Sequence, residues 1–336
     1  MIRTARHALL VLALGLASRP APAYSTETVA GVDAVSSAAK AGLAWPNGPF
    51  DNMKQYTTTG KVQWRLLVRY YTWSPDGFWS DLEFVPMLWG SSQIDDWNSN
   101  INSTIRNLQV THALGFNEPQ EIEQANISPS DGASLWKQYV EPLKHQGIML
   151  GSPAPSSAPS GKTWLLQWLD ACAGGCTVDF IALHWYDINS TAFIEYLEDF
   201  HSTFQRPIWV TEWACQNFND ADAQCSPQDI VNFMNATQQF MDVTEWVERY
   251  AWFGAFRNLQ GVNQDDALMD MSGHITTLGQ QYIGAIAPNV SPNYVPGVVH
   301  GGHGSPYNPA SKSAARKTAD HTTIFLVFVT LWCSLW

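Results

Sequence analysis

The 336-residue chain carries 30 Asp and Glu against 18 Lys and Arg, a formal net charge of −12. A chain this acidic repels polyanions, which argues against nucleic acid as a partner. Once both ends are set aside as processing signals, about 290 residues remain, a length that routinely forms one α/β barrel.

Residues 1–23 place Arg3 and Arg6 before the apolar run Ala8 to Ala17 and close on Ala21-Pro22-Ala23. That is the charged, apolar, small-residue order of a secretory signal peptide, cleaved after Ala23. An apolar core of about ten residues falls short of the roughly 18 that a spanning helix needs. Residues 24–39, rich in Ser, Ala and Thr, read as a loose leader.

A single catalytic domain is expected over residues 40–288. It contains eight short apolar runs: Gly42–Trp45, Leu66–Trp73, Phe84–Trp89, His112–Phe116, Ile148–Gly151, Phe180–Tyr186, Ile208–Thr211 and Tyr250–Phe256. Apolar runs alternating with helical patterns indicate a parallel sheet covered on its outer face, and eight of them suit an α/β fold of the (β/α)8 TIM-barrel type. Helical patterns lie at Ser134–Gln146, Trp164–Leu169, Phe193–Phe204 and Ile230–Val247. The first ends at Gly147 and is kinked or shortened by Pro142. Ser226-Pro227 reads as an N-cap followed by proline at the first helical position. Only about ten residues separate Trp73 from Phe84, and they hold the turn signal Ser74-Pro75-Asp76-Gly77, where a parallel crossover needs a dozen or more. The barrel is expected to be irregular there.

Residues 289–313, rich in Pro, Gly, Asn and His, read as a stalk. His300 and His303 lie in this Gly-rich segment, where histidines are usually solvated, so no metal is assigned. Ile324 to Trp336 is an uncharged apolar tail, preceded by a polar spacer from Arg316 to Thr323 and by Ser313-Ala314-Ala315. That order matches a glycosylphosphatidylinositol attachment signal, with Ser313 as the attachment residue and 314–336 removed. The expected product is secreted and held at the plasma membrane or cell wall by its lipid anchor; secretion without an anchor is the alternative. Its net charge would be near −16, from 13 basic and 29 acidic residues. A monomer without cofactor is expected.

Cys172, Cys176, Cys215 and Cys225 remain after processing, and an even number in a secreted chain argues for disulfides. Three pairings are open; the local ones, Cys172–Cys176 and Cys215–Cys225, are favoured because each falls within one loop. Neither spacing is the Cys-x2-Cys of a zinc knuckle. Sequons at Asn102, Asn126, Asn189, Asn235 and Asn289 agree with secretion.

The chemistry gathers at the carboxyl ends of the runs, the face where barrels of this kind place their sites. Asn117-Glu118-Pro119 ends the fourth run, and Pro119 biases Glu118 towards extended backbone. Glu212 follows the seventh run. Two carboxylates converging above a barrel, with tryptophans to stack on sugar rings, suit cleavage of a glycosidic bond. Trp185 points away from His184 and Tyr186 on an alternating strand.

Gly-Phe-Asn-Glu-Pro (115–119), Phe-Val-Pro-Met-Leu-Trp-Gly (84–90), Ala-Leu-His-Trp-Tyr-Asp (182–187) and Val-Thr-Glu-Trp-Ala (210–214) together resemble the fungal β-1,3-glucanase catalytic core of glycoside hydrolase family 128 over roughly residues 40–285. The resemblance implies a retaining reaction on β-1,3-glucan in cell-wall remodelling or degradation, with Glu118 as acid/base and Glu212 as nucleophile. It further implies that Asn117 bonds the sugar 2-hydroxyl and that His184 and Tyr186 orient the nucleophile and the sugar. Trp73, Trp89, Trp213 and Trp252 would form stacking surfaces. A non-catalytic β-glucan-binding protein on the same barrel is the alternative.

Overall fold

The computed structural model describes residues 40–62 and 69–299. The signal peptide, the leader, His300, His303, Ser313 and the anchor signal lie outside the described residues. Each of the eight apolar runs ends in or overlaps a strand: β1 (Leu43–Ala44), β2 (Arg69–Tyr71), β3 (Glu83–Phe84), β4 (His112–Ala113), β5 (Met149–Leu150), β6 (Ile181–Tyr186), β7 (Ile208–Ala214) and β8 (Val247–Trp252). The sheets β1-β2-β3, β4-β5 and β6-β7-β8 are all parallel. Single parallel bridges, Met87–Leu114, Gly151–Phe180 and Ala41–Tyr250, link the third run to the fourth, the fifth to the sixth and the eighth to the first.

The helices between strands are α1 (Ile94–Leu108), α2 (Pro129–Leu135), α3 (Pro159–Cys172), α4 (Ser190–Phe204) and α5 (Pro227–Val243), and the short α6 (Thr277–Tyr282) follows β8. Pro142 has the expected effect. After α2 the chain continues as a π turn over Trp136–Val140 and a 3-10 turn over Glu141–Gln146, and stops at Gly147 with φ 78°. Proline lacks the N–H that an α-helical ladder would use there. Ser226 caps α5 through a capping box with Asp229, with Pro227 at the first position. No helix joins β2 to β3; instead Phe78 packs on Tyr70, its ring 5.0 Å away, with the Tyr70 ring 5.1 Å from Phe84.

Strand alternation sorts the core into two layers. On β6 and the residue before it, Phe180 and Ala182 join Tyr71, Leu114 and Trp209 in an inner cluster, while Ile181, Leu183 and Trp185 face the helices. His184 and Tyr186 follow the inner phase. On β7 the phase breaks. Leu183 pairs with Val210 but His184 pairs with Glu212, and towards β8 Val210 pairs with Tyr250 but Trp213 with Trp252. One extra residue, at Thr211, bulges out of register with both neighbours. A bulge re-aims the side chains beyond it, so Trp209 and Glu212 both belong to the inner face and Trp213 turns outward.

Residues 289–299, read from composition as the start of a stalk, lie against the domain. Gln228 donates to Asn289 O at 2.7 Å, Ser291 N to Asn232 Oδ1 at 2.8 Å, and Tyr294 OH to Ser190 Oγ at 2.9 Å. Composition could not report these contacts with the starts of α4 and α5.

Candidate active site

Asn117 and Glu118 are pinned between two neighbouring runs. Asn117 N–H donates to Trp89 O at 2.9 Å, and Glu118 N–H to Ala154 O at 2.8 Å. Gly115 permits this close approach, since a Cβ there would stand 2.7 Å from the Trp136 ring and 2.8 Å from Pro153 N. The expectation that Pro119 keeps Glu118 extended is wrong: Glu118 has φ 39°, in the left-handed region. That conformation costs about 1–3 kcal/mol in a residue with a Cβ. The two flanking hydrogen bonds and a third, from Glu121 N–H to Glu118 O at 2.9 Å, hold it there.

Glu118, His184 and Glu212 each bring one nitrogen or oxygen to within 4.8 Å of the others. His184 is buried between the carboxylates, with Nδ1 3.0 Å from Glu118 Oε1 and Nε2 3.5 Å from Glu212 Oε1. Tyr186 OH donates to Glu212 Oε2 at 2.6 Å and Trp73 Nε1–H to Glu212 Oε1 at 2.6 Å. Burial raises Glu212 above the ordinary carboxylate range, and the charge of Glu118 adds to the rise; His184, Tyr186 and Trp73 oppose it. Burial pulls His184 down, but the two carboxylates, Glu212 foremost, outweigh it and leave the imidazole raised. The same three residues could in principle hold a divalent cation. Each ring nitrogen of His184 faces a different carboxylate, though, and N–H and O–H donors already occupy both Glu212 oxygens. That is the pattern of a shared proton rather than of a ligand set.

The tryptophans divide. Trp73 is half-buried, in the left-handed region at φ 56°, and its ring lies 5.8 Å from Phe253 and 6.1 Å from Phe256. Its indole N–H meets the carboxylate directly, a role beyond stacking. Trp89 is half-buried, and its backbone N–H is held by Gln93 Oε1 at 3.1 Å, while Gln93 Nε2 donates to Trp73 O at 3.0 Å. Trp213 and Trp252 form no stacking surface: both are fully buried against the helices, donating to Thr237 Oγ1 at 3.1 Å and Asp266 O at 2.8 Å. The bulge turns Trp213 outward, and plain alternation past Ala251, an inner residue, turns Trp252 the same way. The aromatic residue that faces the site from the eighth run is Phe253, 5.7 Å from Tyr186. Alternation counted from Ala251 would have found it. Phe218, in the loop closed by Cys215–Cys225, packs on Tyr186 at 5.4 Å and carried no signal in the sequence.

Asn117 is buried, and its Nδ2 donates to Gln124 Oε1 at 3.0 Å, while its Oδ1 has no hydrogen-bond partner among the described residues. Trp185 packs on Phe193 and Tyr196, away from the site as expected. Both favoured disulfides are present, Cys172–Cys176 and Cys215–Cys225. Of the sequons, Asn102, Asn126 and Asn289 are exposed, whereas Asn189 and Asn235 are half-buried. Asn189 also caps α4, accepting from Thr191 and Ala192 N–H.

Two carboxylates at the ends of parallel strands, one buried among donors and one reachable beside an imidazole, define a site of the glycosidase class. Residues 42–282 match the glycosyl hydrolase catalytic core family, and the chain belongs to it, within glycoside hydrolase family 128. It is 32% identical over 252 residues to alkali-sensitive linkage protein 1 of Schizosaccharomyces pombe, covering 73% of this chain but only 44% of that protein. Among solved structures it resembles a curdlan-specific exo-β-1,3-glucanase from Blastomyces gilchristii, in complex with glucose, at 30% identity and TM-score 0.59, covering 74% of this chain and 98% of that one. It also resembles an endo-β-1,3-glucanase from Sorangium cellulosum at 26% identity and TM-score 0.61, covering 74% and 98%. A third is an endo-β-1,3-glucanase from Amycolatopsis mediterranei in complex with laminaritriose, at 27% identity and TM-score 0.60, covering 74% and 100%.

Proposed function

We propose that the chain hydrolyses β-1,3-glucan with retention of configuration, on a strand circuit that closes as a (β/α)8 barrel, irregular between β2 and β3. The observation that carries this reading is that Glu118 and Glu212 flank His184 at the strand ends and each bring one oxygen to within 4.8 Å of the other. Retaining enzymes hold their carboxyls about 5–5.5 Å apart, and inverting ones leave about 6.5–9.5 Å for a water. Glu212 attacks the anomeric carbon as the glucosidic C–O bond breaks, and Glu118 gives its proton to the leaving oxygen. Glu118 then takes a proton from water, which displaces Glu212 and regenerates both groups. The substrate class rests on the β-1,3-glucanases that the chain resembles.

Incubating the protein with laminarin is expected to release reducing ends, and NMR of the first product should show the β-anomer before mutarotation. Folded protein that binds laminarin without cleaving it would leave only a binding role. The α-anomer first would mean inversion.

Trp73→Phe keeps the ring and deletes the donor to Glu212. A hydrogen bond to a charged group is worth about 1.5–3 kcal/mol, so kcat/KM is expected to fall about 10- to 100-fold. Because the lost N–H had favoured the carboxylate, the acidic limb of the pH–rate profile should move up. An unmoved limb would reduce Trp73 to a packing residue.

Secretion and a lipid anchor at Ser313 belong to the same proposal and rest on the order of residues at the two ends. Phosphatidylinositol-specific phospholipase C should release the protein from membranes; protein already in the soluble fraction would remove the anchor.

A further inference from the structure

The loop that follows β7 is fixed by buried amides as well as by a disulfide. Cys215 and Cys225, ten residues apart in the chain, close it. Beneath it lies the turn 263–266. Asn263 N–H donates to Gln216 Oε1 at 2.6 Å, Asn263 Nδ2 to Cys225 O at 2.9 Å, and Cys215 N–H to Asp266 Oδ1 at 3.3 Å. Within the loop, Gln224 Nε2 donates to Asn217 O and to Asp220 O, both at 2.7 Å, and its Oε1 accepts from Asn217 N–H at 3.2 Å. Gln216, Gln224 and Asn263 are all buried. A buried amide costs stability unless it is satisfied, and each of these three is satisfied by holding backbone of the loop or of the turn beneath it.

The side chain that this loop carries towards the site is Phe218. Its ring stands edge-on to Tyr186, with centroids 5.4 Å apart and planes at 64°. Phe253 meets Tyr186 edge-on as well, at 5.7 Å and 80°. Tyr186 is the last residue of β6 and pairs with Ala214, the last of β7, so the ladder ends beside it. Two aromatic edges and the bond from its hydroxyl to Glu212 Oε2 at 2.6 Å therefore set its ring. Phe253 directly follows β8, and its N–H still donates to Trp213 O at 3.1 Å. Phe218 has no strand behind it and depends on the loop for its place.

We propose that Phe218 is a positioning residue: held by the disulfide-closed loop, it sets the Tyr186 ring so that the hydroxyl stays on Glu212. It acts through Tyr186 and needs no contact of its own with the reacting atoms. The kinetic consequence rests on the reading of Glu212 as nucleophile; the titration of Glu212 does not.

Phe218→Ala removes the edge contact, and Phe218→Tyr restores a ring. Glu212 faces Glu118, His184, Trp73 and Tyr186, and of these only the Tyr186 bond should loosen. That bond favours the carboxylate, so the titration of Glu212 should move up in Phe218→Ala and return to its wild-type position in Phe218→Tyr. The readout is carboxyl-carbon NMR of the full chain labelled in its glutamate side chains, the Glu212 signal being assigned by its loss in Glu212→Gln. On laminarin, kcat should fall about 2- to 10-fold in Phe218→Ala with KM unchanged, the scale of one aromatic contact, and recover in Phe218→Tyr. Phe218→Leu, which fills much of the space without an aromatic edge, takes the place of the alanine variant if that one does not fold. An unmoved Glu212 titration in the folded variant overturns the proposal. So does a raised KM with kcat and the acidic limb unchanged, which would make Phe218 a sugar-binding surface. Wild-type protein that leaves laminarin intact would defeat the proposed activity, and the carboxyl titration would still decide the role of Phe218.

Discussion

Glu212→Gln is expected to lower kcat on laminarin by on the order of 10⁴- to 10⁶-fold, the scale seen when a nucleophile is removed from a hydrolase. The amide keeps the shape of the carboxyl and accepts from Tyr186 and Trp73 through its oxygen, so the fold should persist. What is lost is the negative charge that attacks the anomeric carbon. Glu118→Gln should cost less, about 10²- to 10⁴-fold, because general acid–base assistance is worth that much. Truncation to alanine separates the two roles. Azide in the space vacated by Glu212 attacks from the nucleophile's side and gives the α-glucosyl azide; with Glu118 truncated it intercepts the glycosyl-enzyme and gives the β-azide. Reversed products would exchange the assignments, and near-wild-type activity in either glutamine variant would remove that residue from the chemistry. The pH dependence follows in sign. The nucleophile must be ionised, and burial raises Glu212, so the acidic limb should lie above the ordinary carboxylate range.

Glu83→Gln is expected to lower the stability of the domain by about 3 kcal/mol and Tm by roughly 6–12 °C. Glu83 lies on β3, at the opposite ends of the strands from Glu118 and Glu212, and accepts from Arg69 Nε at 2.7 Å and from Thr111 Oγ1 at 2.5 Å. Burial alone would raise its carboxyl, but the His112 hydrogen bond, the Arg69 guanidinium and Thr111 hold it down at about 2. Removing the charge leaves Arg69 buried and uncompensated, the costly way to break an ion pair. The sign with pH is fixed by linkage. A carboxyl whose folded pKa is depressed contributes stability above its unfolded value of 4.5, and loses it as pH falls towards about 2. Urea titrations should therefore show a gap between wild type and variant at pH 7 that narrows by pH 3. A constant gap would mean that Glu83 acts through packing alone.

The sequence carried much of the site because its signals are local. An apolar run stopped by Asn117-Glu118-Pro119, and another followed by Glu212, need only strand periodicity to place both carboxylates at one end of a parallel sheet. Capping at Ser226 and the break at Pro142 were legible for the same reason, since each acts within one turn of helix. Side-chain direction beyond the regular strand was less legible. Glu212 and Trp213 are adjacent and cannot both face inward on one strand; only the pairing of β7 with β6 and β8 reveals that Thr211 is the extra residue and that Glu212 is the one turned in. Likewise Pro119 favours extended backbone at Glu118, and the hydrogen bonds to Ala154 and from Glu121 override that preference.

By itself, then, the order of residues determined the family, the parallel α/β arrangement and the two glutamates, and favoured the local disulfides among three open pairings. These depend on composition, period and short spacing along the chain. The tertiary structure alone decided that His184 stands between the carboxylates, that Trp73 donates to Glu212, and that the bulge at Thr211 turns Glu212 in and Trp213 out. Each of those follows from register between strands distant in sequence, where a shift of one residue reverses every side chain beyond it.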